Sequence, residues 1–524
     1  MRAWFANLIF IALCLIGGPA LAQDATWGAV RQADILIESW LYPEATRAIE
    51  ALTQEAPTHP GVRYVQGKLH FHEGRYDEAL AAIDASLPAL PPGWRPYADE
   101  LRALVASTRS TVEGFSETLS PNGHFLFVHH PRDEVLIPLA SETLERAYYE
   151  VGYSLGYWPP GPVRVEFYPR ARSLADTSSL PEEAIKTTST IALCKYNKLM
   201  VTSPRGTIRG YGWRDTLAHE YVHLVISRKT GNQVPIWLHE GIAKYMEQRW
   251  RGVFEAPLEP TRDQLLARRA DANTLVPFAK MSPSIALLPN QEDAALAYAE
   301  VFSLIEFIVE RTGRGSVRSL LEKIGAGATP EDAVAELVGE RFSSFERRWA
   351  NWLRNDRPRP DVRLDFDDDV HLLESAQGDP ALEGVRSPAA RDHLKLGELL
   401  RARGLLTGAL EEYRRAEAIL GPIHPVVQNG AAQVHLEQKE PEAVLAALEK
   451  VSEYFPTFYV TWLNLAAALN QLGRHDEALE ALDEALGVNP FDPRVHEELA
   501  RAYDALGRSV DAQRAREDAA RVAN

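Results

Sequence analysis

The stretch GRYDEALAAIDASL, which begins at Gly74, is written again with few changes at Gly473, as GRHDEALEALDEAL. Ala409, Ala443, Ala478 and Ala512 share one position of this pattern, and Pro422, Pro456 and Pro490 another, each 34 or 35 residues after the last. Nearer the N-terminus, Ala45 matches Ala79 and Pro57 matches Pro91. A period of about 34 residues is that of a helix-turn-helix unit that buries its apolar face only by stacking on copies of itself. The small residue lets the two helices of a unit approach closely, and the proline ends the second helix. This periodicity requires helical hairpins in two separate parts of the chain.

These segments resemble tetratricopeptide repeats over residues 28–113 and 388–524, with Trp40 standing where such repeats usually carry glycine. The resemblance implies a concave surface offered to a protein partner or to a peptide. Scaffolding and self-association are the plainer readings of the same fold.

Between the repeats the pattern changes. HFLFVHH (residues 124–130) and VRVEFY (163–168) are β-branched and aromatic with partial alternation, which predicts strands. TIALCKYNKLMVTSP (190–204) predicts a hairpin with its turn at 195–198. Helical patterns dominate from Asp215 to about Leu353. NDRPRPDVRLDFDDDV (355–370), rich in Pro and Asp, opens an expected linker over residues 356–387. The predicted organisation is a mixed-sheet and helix domain at 115–355 between two all-α arrays.

The net charge of −17 argues against a nucleic-acid partner, since phosphate contacts need clustered Lys and Arg. At the N-terminus, MRAWFANLIFIALCLIGGPALAQD has an early cation, an apolar run from Leu8 to Ile16 and the small-residue pattern Ala20-Leu21-Ala22. This predicts a leader over residues 1–22 cleaved after Ala22, its apolar run too short to span a bilayer. Leu13 ahead of Cys14 weakens the alternative of a lipid anchor on that cysteine. With Cys14 removed, only Cys194 remains, so the mature chain would carry no intramolecular disulfide. The expectation is an exported chain with no membrane span, in the periplasm rather than outside the cell.

The chemistry concentrates in HEYVHLVISRKTGNQVPIWLHEG, from His219 to Gly241. Asp215 is the expected N-cap of a helix that Gly231 ends. On it, His219 and His223 stand at i and i+4, one turn apart on one face, so both imidazoles can reach a single tetrahedral ion. Glu220 is turned about 100° away and can face a water instead of the ion. A second helix starting near Pro235 carries Glu240, with Gly241 and Ala243 allowing close approach. A His₂Glu set leaves a fourth position open, as catalytic zinc sites require. The histidine pair alone could equally be a solvated helix face.

With the residues that follow, the region resembles the gluzincin metallopeptidases, specifically the peptidase MA-like domains, through His219, Glu220, His223, Trp237, Glu240, Gly241 and Ala243. The resemblance implies an α+β zincin-like fold, with an N-terminal mixed sheet and a helical C-terminal half, holding one Zn²⁺ on His219, His223 and Glu240. Downstream, ALAYAEVFSLIEFIVERTG (295–313) resembles the helix that follows the active site, placing Tyr298 where a phenol could stabilise an oxyanion. Lys244 stands where thermolysin-like enzymes carry a supporting aspartate, so no partner for His219 or His223 is evident in the sequence. His239 diverges from Glu240 by about 100°, so only one of them faces the ion; the family pattern selects Glu240 and leaves His239 as a surface or loop-packing residue.

The expected activity is peptide hydrolysis by zinc-activated water with Glu220 as general base. A catalytically weak envelope scaffold and a zinc hydrolase of non-peptide amides are the rival classes. The hairpin at 190–204 could align an extended substrate along its edge, and Cys194 reads as a small buried hydrophobe.

Overall fold

The computed structural model describes residues 25–281, 285, 288–358, 372–373 and 379–523. The expected leader and most of the expected linker lie outside these residues. The chain forms two compact units, one up to Ser110 and one from Thr111.

In the first unit, helices Ala25–Glu38, Tyr42–Glu55, Pro60–His72 and Tyr76–Ser86 precede a longer helix, Arg95–Thr111. Ala45 and Ala79, the matched small residues, are fully buried. A Cβ at Gly67 would lie 2.6 Å from Ile83 and 3.0 Å from the Ala79 carbonyl, which shows how closely the third and fourth helices cross. Trp40 takes a left-handed φ of +58°, the conformation glycine adopts without steric cost.

The second unit contains a five-stranded sheet of order β1-β2-β3-β5-β4. Its strands are β1 (Ser116–Leu119), β2 (Phe125–His129), β3 (Val163–Tyr168), β4 (Ala192–Lys195) and β5 (Lys198–Thr202). β2, β3 and β5 run parallel, while β1 and β4 join antiparallel at the two edges. β2 and β3 match the expected strands. The 190–204 hairpin forms around Tyr196 and Asn197, whose φ values of +52° and +62° close a two-residue turn. β1, Ser-Glu-Thr-Leu, is exposed throughout and carries no apolar alternation, so nothing in its sequence announced a strand.

Four helices position the site: α1 (Ile137–Leu155), α2 (Trp213–Thr230), α3 (Ile236–Met246) and α4 (Gln291–Thr312). α2 lies on one face of the sheet, with Tyr221 against Phe125 at 5.4 Å and Trp213 against Phe167 at 6.3 Å between ring centroids. α3 crosses α4 at Gly241, where a Cβ would come within 2.7 Å of the Val301 carbonyl oxygen. A backbone atom cannot move aside cheaply, so the glycine sets this crossing.

On α4, Glu300 is fully buried and accepts the Val276 N–H at 2.8 Å, while its Oε2 has no partner among the described residues. Burial raises its pKa from 4.5 to about 8. The folded chain keeps a proton that the unfolded chain releases, so this group's contribution to stability is full below pH 4.5 and is lost as pH rises towards 8. Glu300→Gln, which mimics the protonated acid, is expected to melt above wild type at pH 8 and level with it near pH 4.5. A gap in thermal midpoint that stays constant over that range would sink this account.

From Pro388 to Val522 the chain forms paired helices, with fully buried Ala409, Ala478 and Ala512 inside the pairs. Ala443 is only half-buried. Pro422, Pro456 and Pro490 each follow the end of a second helix, at Leu420, Tyr454 and Leu486.

Candidate metal centre

α2 ends as its sequence predicts. Gly231 takes a φ of +63° and its N–H closes on the Ser227 carbonyl. Its start differs from expectation. The helix opens at Trp213 after Gly212, and Asp215 lies inside the first turn with no capping bond. The Asp215 carboxylate instead accepts from Trp250 Nε1 at 2.7 Å and Arg251 Nε at 2.9 Å. Leu217, Tyr221, Leu224 and Val225 bury the apolar side of α2.

His219, His223 and Glu240 meet. The two Nε2 atoms are 3.1 Å apart, and Glu240 Oε2 lies 3.3 Å from His219 Nε2 and 3.2 Å from His223 Nε2. No other group of His, Cys, Asp and Glu among the described residues offers a comparable set of ligand atoms. A tetrahedral ion with bonds of about 2.0–2.1 Å has its ligand atoms roughly 3.3 Å apart, so the triangle has the size such an ion demands. The electrostatics agree. Burial works against charge on His219, but its contacts with Glu240 and Glu247 hold its pKa up to about 10. Burial likewise opposes ionisation of Glu240, yet the two imidazoles hold its pKa far below the usual carboxylate range. These acids stabilise positive charge between them, and a divalent cation supplies that charge in place of protons.

Both histidines have a partner on the ring nitrogen facing away from the triangle. His219 Nδ1 lies 3.2 Å from Glu247 Oε2. The other oxygen of Glu247 accepts from Lys244 Nζ at 2.6 Å, and Lys244 also donates to Glu259 at 2.5 Å. Lys244, at the position of the missing aspartate, thus braces the acid that replaces it. His223 Nδ1 meets His239 Nδ1, and His239 Nε2 lies 3.2 Å from Ser227 Oγ. His239 is therefore not the surface or loop-packing residue expected. It is buried, its ring 4.6 Å from that of His223, and burial first and His223 second push its pKa well below 6.5. A neutral His239 can accept the His223 Nδ1–H while its own Nε2–H donates to Ser227.

Glu220 is buried beside the triangle. Burial raises its pKa, opposed by the charges of His223 and His219 and by the Cys194 backbone N–H that it accepts. Cys194 belongs to β4, a sheet edge, so the hairpin brings its outer strand against this carboxylate. The Cys194 thiol is also buried and its pKa raised, chiefly by burial and then by Glu220. Tyr298, on α4, lies close enough to the site that the charge of Glu240, then burial, then Glu220 raise its phenol well above 10. His219, His223 and Glu240 are thus brought together, with Glu220 and Tyr298 within electrostatic reach of them. Glu247 and His239 are the two that the sequence reading missed or misplaced.

Comparison with known families agrees with this architecture. A model of the Peptidase MA superfamily matches residues 146–355, and tetratricopeptide repeat models match 30–93, 435–502 and 493–518. Among solved structures, MamA (MSR-1 C2) aligns at 26% identity over 27% of this chain and 82% of its own, with a TM-score of 0.23. The Cut9-Hcn1 assembly of the APC/C aligns at 12% identity over 94% of this chain and 78% of its own, with a TM-score of 0.27. Yeast Tom70 aligns at 11% over 94% and 90%, with a TM-score of 0.21. The chain carries a Peptidase MA superfamily domain flanked by tetratricopeptide repeats.

Proposed function

We propose that this Peptidase MA superfamily domain is a zinc-dependent endopeptidase of the gluzincin type, and that its repeats hold protein partners or substrate. The observation that carries the reading is the triangle of His219, His223 and Glu240, sized for one tetrahedral ion, with the Glu220 carboxylate buried beside it. Zinc, when bound there, polarises a carbonyl and lowers the pKa of a water towards about 7.

The remaining steps belong to this chain's side chains. Glu220 accepts a proton from the attacking water at its carboxylate and delivers it to the leaving amine. The Cys194 N–H holds that carboxylate in place while burial keeps its pKa raised, which suits a group that must both take and return a proton. The Tyr298 phenol keeps its proton beside Glu240 and Glu220, so it remains a donor for the oxygen that gains charge in the tetrahedral intermediate. β4 is a sheet edge, and an extended peptide would add along it beyond the Cys194 N–H that Glu220 already holds.

The proposal extends to export. The run from Leu8 to Ile16 followed by Ala20-Leu21-Ala22 supports a leader, and among the described residues no helix is long and apolar enough to cross a membrane. Within this proposal the exported chain is placed in the periplasm.

The test uses the chain from Gln23 onward. Elemental analysis is expected to find one zinc per chain, and a mixed peptide library is expected to be cleaved until a chelator removes the metal. Zinc without cleavage of peptides or small amides would leave a scaffold, while a chain that takes up no zinc would end the proposal.

A further inference from the structure

The first turn of α2 is held by the C-terminal repeats. Arg214, 1% exposed, donates to Thr143 Oγ1 at 2.8 Å and Glu142 Oε2 at 3.0 Å on α1, and to Asp483 Oδ1 at 2.8 Å on the repeat helix His475–Leu486. Its guanidinium lies over the Trp250 ring at 4.3 Å. The next acid on that repeat helix, Glu484, accepts from Arg251 Nη1 at 2.9 Å, and Arg251 also pairs with Asp215 on α2. Backbone contacts reinforce the junction. Trp213 Nε1 donates to the Leu486 carbonyl at 2.8 Å, and the Tyr211 N–H to that of Val488 at 3.2 Å. A Cβ on Gly210 would stand only 2.2 Å from the Val488 oxygen, so the two backbones meet without room for a side chain.

These contacts reach both halves of the metal centre. Arg214 and Asp215 lie one turn before His219 on α2. Arg251 closes the short turn Arg249–Arg251 that follows α3, a few residues beyond Glu247, the acid that orients His219. One pair of adjacent carboxylates on a repeat helix therefore ties the start of the helix bearing both histidines to the segment bearing Glu247, the acid beside His219.

We infer that Asp483 and Glu484 are positioning residues of the metal centre, and that the C-terminal array is part of the frame that sets its geometry. The inference rests on the zinc reading of that centre. The array then does more than present a surface: loosening its docked helix loosens the site. Because Asp483 and Glu484 are 49% and 39% exposed, salt screens these ion pairs, and the effect weakens at high ionic strength.

The test compares full-length wild type with Asp483→Asn/Glu484→Gln. Glu411→Gln, an exposed acid on repeat helix Leu406–Leu420, serves as control. Zinc affinity is read by competition with a chromophoric chelator, and backbone hydrogen exchange is followed over residues 213–223 and 247–251. The double variant is expected to bind zinc roughly 2- to 30-fold more weakly, the range for residues that act on a site through connected contacts. It should also exchange faster in both segments while keeping the helical circular dichroism of wild type. Asp483→Glu/Glu484→Asp, which keeps both charges, is expected to recover most of the loss. Unchanged exchange and affinity in the double variant would overturn the inference. A wild type that takes up no zinc would defeat the metal reading instead, and the exchange comparison would still decide whether the array holds α2.

Discussion

Glu220→Gln is expected to bind zinc as wild type does and to lose about two to four orders of magnitude in turnover of any peptide the library identifies, the usual contribution of a positioned general base. Glutamine keeps the shape of the side chain and can still accept the Cys194 N–H through its amide oxygen, so β4 and α2 have no reason to separate. It cannot take a proton from water at neutral pH. His219, His223 and Glu240 are untouched by the change, and their triangle should hold the ion as before. The measurement pairs steady-state turnover of one defined peptide with elemental analysis of the same preparation. Turnover within a few-fold of wild type, with zinc still present, would remove Glu220 from the chemistry. Joint loss of zinc and activity would mean that its carboxylate serves the site's structure.

The sequence revealed those parts of the molecule that depend on local spacing. His219 and His223 share a helix face because of the helical period, Gly231 ends that helix because left-handed φ costs glycine little, and Asn197 tolerates the left-handed φ of the hairpin turn that Tyr196 adopts at a steric cost. Parts that depend on where two distant segments come to rest were hidden. Asp215 has the look of an N-cap, but Trp250 and Arg251 claim its oxygens. His239 reads as a surface or loop-packing residue because a helix turns it away from Glu240. That same turn carries it to His223 on the neighbouring helix. The contact between Arg214 and Asp483 spans 269 residues of sequence, and no pattern on either side foretells it. β1 escaped notice because a fully exposed edge strand has no buried face to impose alternation.

The partner of His219 was hidden for a related reason, and its removal is the other change with a large expected effect. Glu247→Gln is expected to weaken zinc binding by about 10- to 100-fold, the usual cost of losing the group that orients a metal-bound histidine. The carboxylate accepts the His219 Nδ1–H, which fixes the tautomer that turns Nε2 towards Glu240 and His223 and makes that nitrogen more basic. A glutamine can still offer a carbonyl oxygen, but without the negative charge, and its amide can flip to present N–H to the ring. Lys244 does not lose all its support, because Glu259 stays in reach. Glu259→Gln, one contact further from the histidine, is therefore expected to leave affinity near wild type. A chelator competition on the three proteins reads the difference, with thermal melting without zinc as the check on folding. Equal affinity in Glu247→Gln and wild type would show that the fold around α2 and α3 orients His219 unaided. A deficit in Glu259→Gln as large as that in Glu247→Gln would shift the role from the single carboxylate to the whole Lys244 cluster, which the position of Glu247 directly against the ring argues against.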